Sequence, residues 1–240
     1  MMTSQHVPSL PHEPYPLILA HALDPAFIKQ LTVHFENLKP DEFNSADKQA
    51  NKEKGVWGRH RAYGEISCVE DKYIQLPPRP FTQSQDINQA NGGVNRWFPE
   101  LDAALVADDV FVHLVKHFHR HMLDGQPGVL GIHFIRTNCV GGEGAPAPEG
   151  PHRDGFDKVG MLTVNRHNIS GGRTQLLPQL QEGDPKCDEV LLDSVLEESQ
   201  VLIINDEHYR HSVTAITADD PKQKAFRDVI VVTSSFKDLL

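Results

Sequence analysis

The stretch Pro148-Glu149-Gly150-Pro151-His152-Arg153-Asp154-Gly155-Phe156-Asp157 decides how this chain is read. It closes a glycine- and proline-rich loop, Gly141 to Pro151, and leads into a strand-like run from Val159 to Asn165. In an extended segment alternate side chains share a face, so His152 and Asp154 point into one cavity while Arg153 points away. One imidazole and one carboxylate on one face make two thirds of a metal site. The third ligand has to come from another strand. His211, in Asn205-Asp206-Glu207-His208-Tyr209-Arg210-His211, follows the apolar strand Val201-Leu202-Ile203-Ile204 and is the candidate.

Two histidines and one carboxylate, with open positions opposite, are the ligand set associated with non-haem iron(II) oxygenases. A chain with 14 His contains His-x-Asp by chance, so a further element has to support the reading. Arg227, in Phe226-Arg227-Asp228-Val229-Ile230-Val231, supplies it. Alternation puts Arg227 on the inward face with Val229 and Val231. A guanidinium there needs an anion, and its fork suits a carboxylate bidentately. A protein Asp or Glu fits that role, and so does a bound dicarboxylate.

The order His152-x-Asp154, His211, Arg227 resembles that of the Fe(II)/2-oxoglutarate-dependent dioxygenases. More narrowly, Pro148 to Gly155, Asn165-Arg166-His167-Asn168-Ile169-Ser170-Gly171-Gly172 and Arg59-His60-Arg61-Ala62-Tyr63-Gly64 resemble the bacterial branch that hydroxylates free aliphatic amino acids, the L-isoleucine dioxygenase type. The similarity spans about residues 55 to 236. The resemblance implies Fe(II) on His152, Asp154 and His211, and 2-oxoglutarate chelating that metal with its far carboxylate on Arg227. It also implies O2 as co-reactant and ascorbate as a stimulant. The expected products are a hydroxy amino acid, succinate and carbon dioxide. One departure stands out: many members of the superfamily place Ser or Thr two residues after the arginine, and here that position is Val229.

A free amino acid needs a cation for its carboxylate and a carboxylate or carbonyl for its ammonium. Arg136, in Ile132-His133-Phe134-Ile135-Arg136-Thr137, is nominated for the first role and Glu149 for the second, with Arg59, Arg61 or Arg153 as substitutes for Arg136. An ordinary ion pair is the competing explanation for each. The Gly141 to Pro151 loop is read as a lid over the cavity, with an ordinary connector as the alternative.

At 240 residues the chain has the length of one domain. A net charge of -10 and a pI near 5.7 are not those of a nucleic-acid or anionic-membrane binder. Cys68, Cys139 and Cys187 are odd in number and widely separated, which fits a reduced, cytoplasmic protein. Met1 to Pro16 lacks an apolar run of signal-peptide length, and no later segment approaches the roughly 18 apolar residues of a membrane span, so a soluble, unexported protein is expected. A homodimer is left open.

The expected fold is α+β, a double-stranded β-helix (jelly roll, cupin-like) core buttressed by N-terminal helices, in a single domain over residues 1–240. Residues 1–125 read as largely helical support with one or two strands, and 126–240 as the jelly-roll core carrying the metal site. Residues 1 to 15 look loosely ordered. Asp24-Pro25 starts a helix whose apolar stripe is Phe27, Ile28, Leu31, Phe35 and Leu38, ended by Pro40. A charged connector with Lys48, Lys52, Glu53 and Lys54 follows. Val56 to Cys68 reads as extended, Asn91-Gly92-Gly93 as a turn, and Trp97 to Ala107 and Asp108 to Leu123 as helices. His113, His117 and His121 line one edge of the last helix and read as partly exposed histidines rather than as zinc ligands. Strands are expected over Val129–Thr137, His152–Asn165, Arg173–Leu177, Glu189–Asp193, Gln200–Ile204, His211–Ile216 and Arg227–Ser235.

His152-Arg153-Asp154 also spells part of a kinase catalytic loop, but position 159 is Val where that loop needs Asn. A zinc hydrolase with Glu149 as general base is the rival enzyme. A cupin-like metabolite-binding protein without turnover is the rival from outside enzymology.

Overall fold

The structure is a computed structural model that describes residues 16–19, 23–44, 46–47, 52, 55–88, 92–179, 184 and 186–235. The readings of residues 1–15, of Lys48, Glu53 and Lys54, and of Asn91 fall outside the described residues.

Strand β1 (Leu17–Leu19) precedes a helical stretch made of α1 (Pro25–Ile28), a 3₁₀ turn (Lys29–Leu31) and α2 (Thr32–Phe35). Asp24 caps it as expected, its Oδ1 accepting from the Ala26 and Phe27 amides at 2.7 and 3.4 Å. Ile28, Leu31 and Phe35 are the buried face. Next come β2 (Lys39–Pro40), β3 (Arg59–Val69), β4 (Lys72–Gln75), α3 (Ala103–Val106) and α4 (Asp109–Met122). Four strands therefore stand where one or two were expected: β1, β2 and β4 are two to four residues long and carry no readable period. The helix expected from Trp97 begins only after Asp102, whose side chain caps it. Pro99 lies inside the expected span, and its carbonyl accepts from the Tyr63 amide at 2.8 Å instead.

The second half supplies β5 (Gly128–Asn138), β6 (Glu143–Gly144), β7 (Lys158–His167), β8 (Ile169–Gly171), β9 (Arg173–Pro178), β10 (Leu192–Val195), β11 (Val201–Asn205), β12 (Tyr209–Val213), β13 (Ile216–Ala218) and β14 (Phe226–Ser235). The main sheet runs β1-β11-β7-β14-β5-β3-β2 with β4 beside β3, all antiparallel. A second sheet, β10-β9-β12, faces it, and β6-β13-β8 form a third. This is the jelly roll expected. The strand expected over His211–Ile216 is divided, because the chain leaves the second sheet after Val213 and enters the third at Ile216.

The main sheet is buried on both faces. On the outer one, Phe134, Ile132, Ile230, Val232 and Leu162 meet Phe111, Leu114, Phe118 and Met122 of α4. Each such side chain contributes about 1.5–3 kcal/mol on burial. The helix lies close: a Cβ on Gly160 would come within 2.6 Å of the Phe118 ring. On the inner face Val159, Met161, Leu202 and Ile204 meet Leu176, Leu192 and Tyr209 of the second sheet. Beside this inner core the two sheets leave a cavity. His113 is exposed, and His117 and His121 are partly so, as read from the sequence. No helix among the described residues is long and apolar enough to cross a membrane.

Candidate active site

His152 and His211 are bridged through their main chains, each amide donating to the other's carbonyl, at 3.0 and 2.8 Å. The bridge sets their rings 4.6 Å apart at the cavity floor. Asp154 lies between them, Oδ1 3.6 Å from His152 Nε2 and Oδ2 3.5 Å from His211 Nε2. Donors up to about 4.2 Å apart can share one ion with bonds of about 2.1 Å. Among the described residues this is the one group of three or more such ligands. His152 Nδ1 bonds the Gly150 carbonyl at 2.8 Å; a carbonyl only accepts, so Nδ1 holds the proton and Nε2 offers its lone pair.

The electrostatics fit a cation at this point. Burial pulls His152 down, but the bond and charge of Asp154 outweigh it and lift His152 to about 9. Burial pulls His211 down to about 4. Burial pushes Asp154 up, yet the two histidines hold it well below the ordinary carboxylate range. Without metal, one proton shared by His152 and Asp154 takes the place of the ion.

His152 and Asp154 do not owe their placement to strand alternation, since the regular strand starts only at Lys158. Asp206 holds the loop. Its carboxylate is fully buried and accepts from the amides of Asp154, Gly155 and Phe156 at 3.1, 2.7 and 3.1 Å. Burial, with the charge of Asp154, raises Asp206 to about 6 against the pull of those amides. Arg153 is turned away from the metal and donates to the Asp206 carbonyl at 2.5 Å.

The inner face of the main sheet gives the cavity its wall in cross-strand rows. Arg59, Thr137, Arg227 and Arg166 form one row; Arg61, Ile135, Val229 and Thr163 the next; Tyr63, His133, Val231 and Met161 a third. Arg227 is 3% exposed, and its Nε and Nη2 are buried without a hydrogen-bond partner. Burial and the nearby Arg166 pull it down to about 10, so it stays charged at neutral pH. Arg166 donates one N–H to the Gly171 carbonyl at 2.8 Å and leaves Nη1 buried and unpartnered. Gly172 makes room for the pair: a Cβ there would lie 3.2 Å from Arg166 Nη1 and 3.7 Å from Arg227 Cδ. A buried guanidinium with no counter-charge is costly, so this corner is built for an anion.

Arg136 faces the other way. The guanidinium makes a fork on Asp228 at 2.7 and 2.8 Å, bonds Glu36 at 2.9 Å, and stacks 4.1 Å from the Phe226 ring, on the helix side of the sheet. The nomination of Arg136 for the substrate is therefore corrected, and Arg153, outside the inner cavity, is not brought to it either. Arg59, Arg61 and Glu149 do line the cavity. Arg59 is already paired with Asp41 at 2.7 Å. Arg61 bonds His133 Nδ1 at 2.8 Å and lies 4.2 Å over the Phe98 ring. Arg96, Gln83, His133, Arg166 and Asp206 were not nominated from the sequence. Asp206 and Arg166 sat within the quoted motif strings, while Arg96 lies in a stretch without period that bridges Phe81.

The site thus has two parts: a His-Asp-His cluster able to hold a metal ion and, lining the same cavity, a buried arginine with unpartnered nitrogens. The 2OG-Fe dioxygenase family matches residues 32–233, and the chain belongs to that family. Among solved structures, a bsmA homolog from Methylobium petroleophilum is similar at 25% identity and a TM-score of 0.69, over 88% of this chain and 81% of that one. IDO from Bacillus thuringiensis aligns at 19% identity and a TM-score of 0.67, over 89% and 87%. The Fe(II)/(alpha)ketoglutarate-dependent dioxygenase TqaL aligns at 15% and 0.59, over 88% and 74%. No curated protein sequence matches. Family membership displaces the zinc hydrolase reading.

Proposed function

We propose that the chain hydroxylates an unactivated carbon of a free aliphatic L-amino acid such as isoleucine, leucine or methionine, converting 2-oxoglutarate and O2 to succinate and carbon dioxide. The observation that carries the cosubstrate half is Arg227, buried, charged and unpartnered on the cavity wall. His152, Asp154 and His211 hold the Fe(II), which when bound activates O2 with 2-oxoglutarate as the reductant. One oxygen atom then enters the substrate and the other enters succinate.

The chain's own part is positioning. Arg227 takes the distal carboxylate of 2-oxoglutarate, and Arg166 supplies the extra donor that Val229 lacks. Ile135, Met161, Val213 and Val231 give the cavity an apolar stretch that suits an aliphatic side chain and excludes water near the metal. Glu149, exposed where the inner cavity meets an outer one, faces a substrate ammonium. The Gly141 to Pro151 loop covers the site from the same side. The test is succinate release with Fe(II), ascorbate and a panel of free L-amino acids, N-acylated amino acids and peptides. Stimulation by free aliphatic amino acids is expected; stimulation only by peptides overturns the substrate class.

A further inference from the structure

Beyond the cosubstrate corner, the cavity holds a second unmatched concentration of positive charge. Arg61 and Arg96 both line it, and both are buried, at 8% and 4% exposure. Arg61 gives one N–H to His133 Nδ1, and Arg96 gives one to Gln83 Oε1 at 2.5 Å; both acceptors are neutral. Each leaves its Nε buried without a partner, and among the described residues neither forms an ion pair with a carboxylate. Phe81 joins them, 5.5 Å from the Arg61 guanidinium and 4.8 Å from that of Arg96. Aromatic faces ease the burial of a cation but do not neutralise it.

The charges of Asp41 and Asp154 act on both guanidinium groups, but neither carboxylate bonds them. Asp41 is engaged by Arg59, and Asp154 belongs to the metal. Glu149 interacts with Arg96 only at long range, without a bond. The seat is also held in register with the metal: Gln83 accepts from Arg96 and donates its Nε2 to the Asp154 carbonyl at 2.8 Å. Asn88 secures the same Gln83 oxygen at 2.9 Å. Arg61 stands two strands and one row away from Arg227, so their Cα atoms are separated by roughly 12 Å across the sheet.

We infer that Arg61 and Arg96 form the seat of the substrate's carboxylate, at a fixed distance from the metal set by Gln83. The inference rests on the hydroxylase reading above and sharpens it. The substrate class is a small aliphatic carboxylate, recognised through that group. The amide or decarboxylated amine of the same skeleton is rejected, because it leaves both guanidinium groups unmatched.

The experiment uses the full chain with Fe(II) and 2-oxoglutarate under argon, so that the cosubstrate site is filled and no turnover occurs. Binding of isovalerate and of isovaleramide is measured by calorimetry in wild type, Arg96→Gln and Arg61→Lys. Isovalerate is expected to bind and isovaleramide not to. Arg96→Gln should weaken isovalerate by about tenfold or more with 2-oxoglutarate affinity unchanged, and Arg61→Lys, which keeps the charge, should lose less. Equal binding of acid and amide, or isovalerate affinity unchanged in Arg96→Gln, overturns the seat. So does a loss that 2-oxoglutarate affinity shares, which marks a structural role. If no free amino acid stimulates succinate release while isovalerate binding still depends on Arg96, the seat stands and the amino acid reading falls. If amino acids are turned over with KM unchanged in Arg96→Gln, the reverse holds.

Discussion

His152 and His211 exchange both main-chain hydrogen bonds, at 3.0 and 2.8 Å, although they lie 59 positions apart in the chain. Because the bridge is made by backbone, it survives replacement of either side chain. His152→Ala and Asp154→Ala should therefore fold with near-native melting temperature yet lose Fe(II) binding and Fe(II)-dependent succinate release. Full succinate release in either variant contradicts the ligand assignment.

Arg227 supplies charge-assisted bonds, each worth about 1.5–3 kcal/mol, to the anion it holds. Arg227→Ala should raise the 2-oxoglutarate concentration needed for half-maximal rate by about 100-fold, with Fe(II) binding kept. Arg166→Gln should raise it less, by about tenfold. Titrating 2-oxoglutarate in the succinate assay reads both, and an unchanged requirement in Arg227→Ala places the cosubstrate elsewhere.

Asp206 accepts three amides of the ligand loop and is not itself one of the three clustered ligands. Asp206→Asn sets an amide N–H against one or more of those donors. Fe(II) affinity is expected to fall by about 10–100-fold, the usual cost of losing support behind a metal ligand. Calorimetric Fe(II) titration under argon checks this, and wild-type affinity contradicts it.

Arg136 is structural. Arg136→Met leaves Asp228 fully buried without its fork and should cost roughly 3 kcal/mol of stability. Denaturant unfolding measures the loss. The KM for the amino acid should be unchanged, and a selective rise in that KM restores Arg136 to the substrate site.

His117 ties stability to pH. Its Nε2 is buried without a partner, and burial pulls the group from 6.5 down to about 4. The fold favours the neutral ring, so its contribution is complete above pH 6.5 and is lost as pH falls toward 4, by about 1–2 kcal/mol after allowance for partial exposure. Metal-free His117→Gln should lose less melting temperature than wild type between pH 7 and 4.5. Equal losses count against the assignment.

The convergence of His152, Asp154 and His211 and the inward face of Arg227 were legible because each is a polar residue set in or beside a strand-like run. Alternation failed at Arg136 for a definite reason. Strand β5 is buried on both faces, so apolar residues at 132, 134 and 135 could not say which side held the cavity. His133, Ile135 and Thr137 are the residues of that strand that do reach it. The support given by Asp206 and the partnership of Arg61 with Arg96 were not readable either. Both depend on loops, 152–157 and 81–96, whose conformation follows from tertiary hydrogen bonds rather than from any local period.

The most direct test of the central claim is the coupling of succinate to product. Purified chain with Fe(II), O2, 2-oxoglutarate and each aliphatic L-amino acid in turn is assayed for succinate and, by mass spectrometry, for the amino acid carrying one added oxygen atom. The account predicts at least one such amino acid for which the two products form in equal amounts, both abolished in His152→Ala. Succinate release that no amino acid stimulates, with no oxygenated amino acid formed, contradicts it.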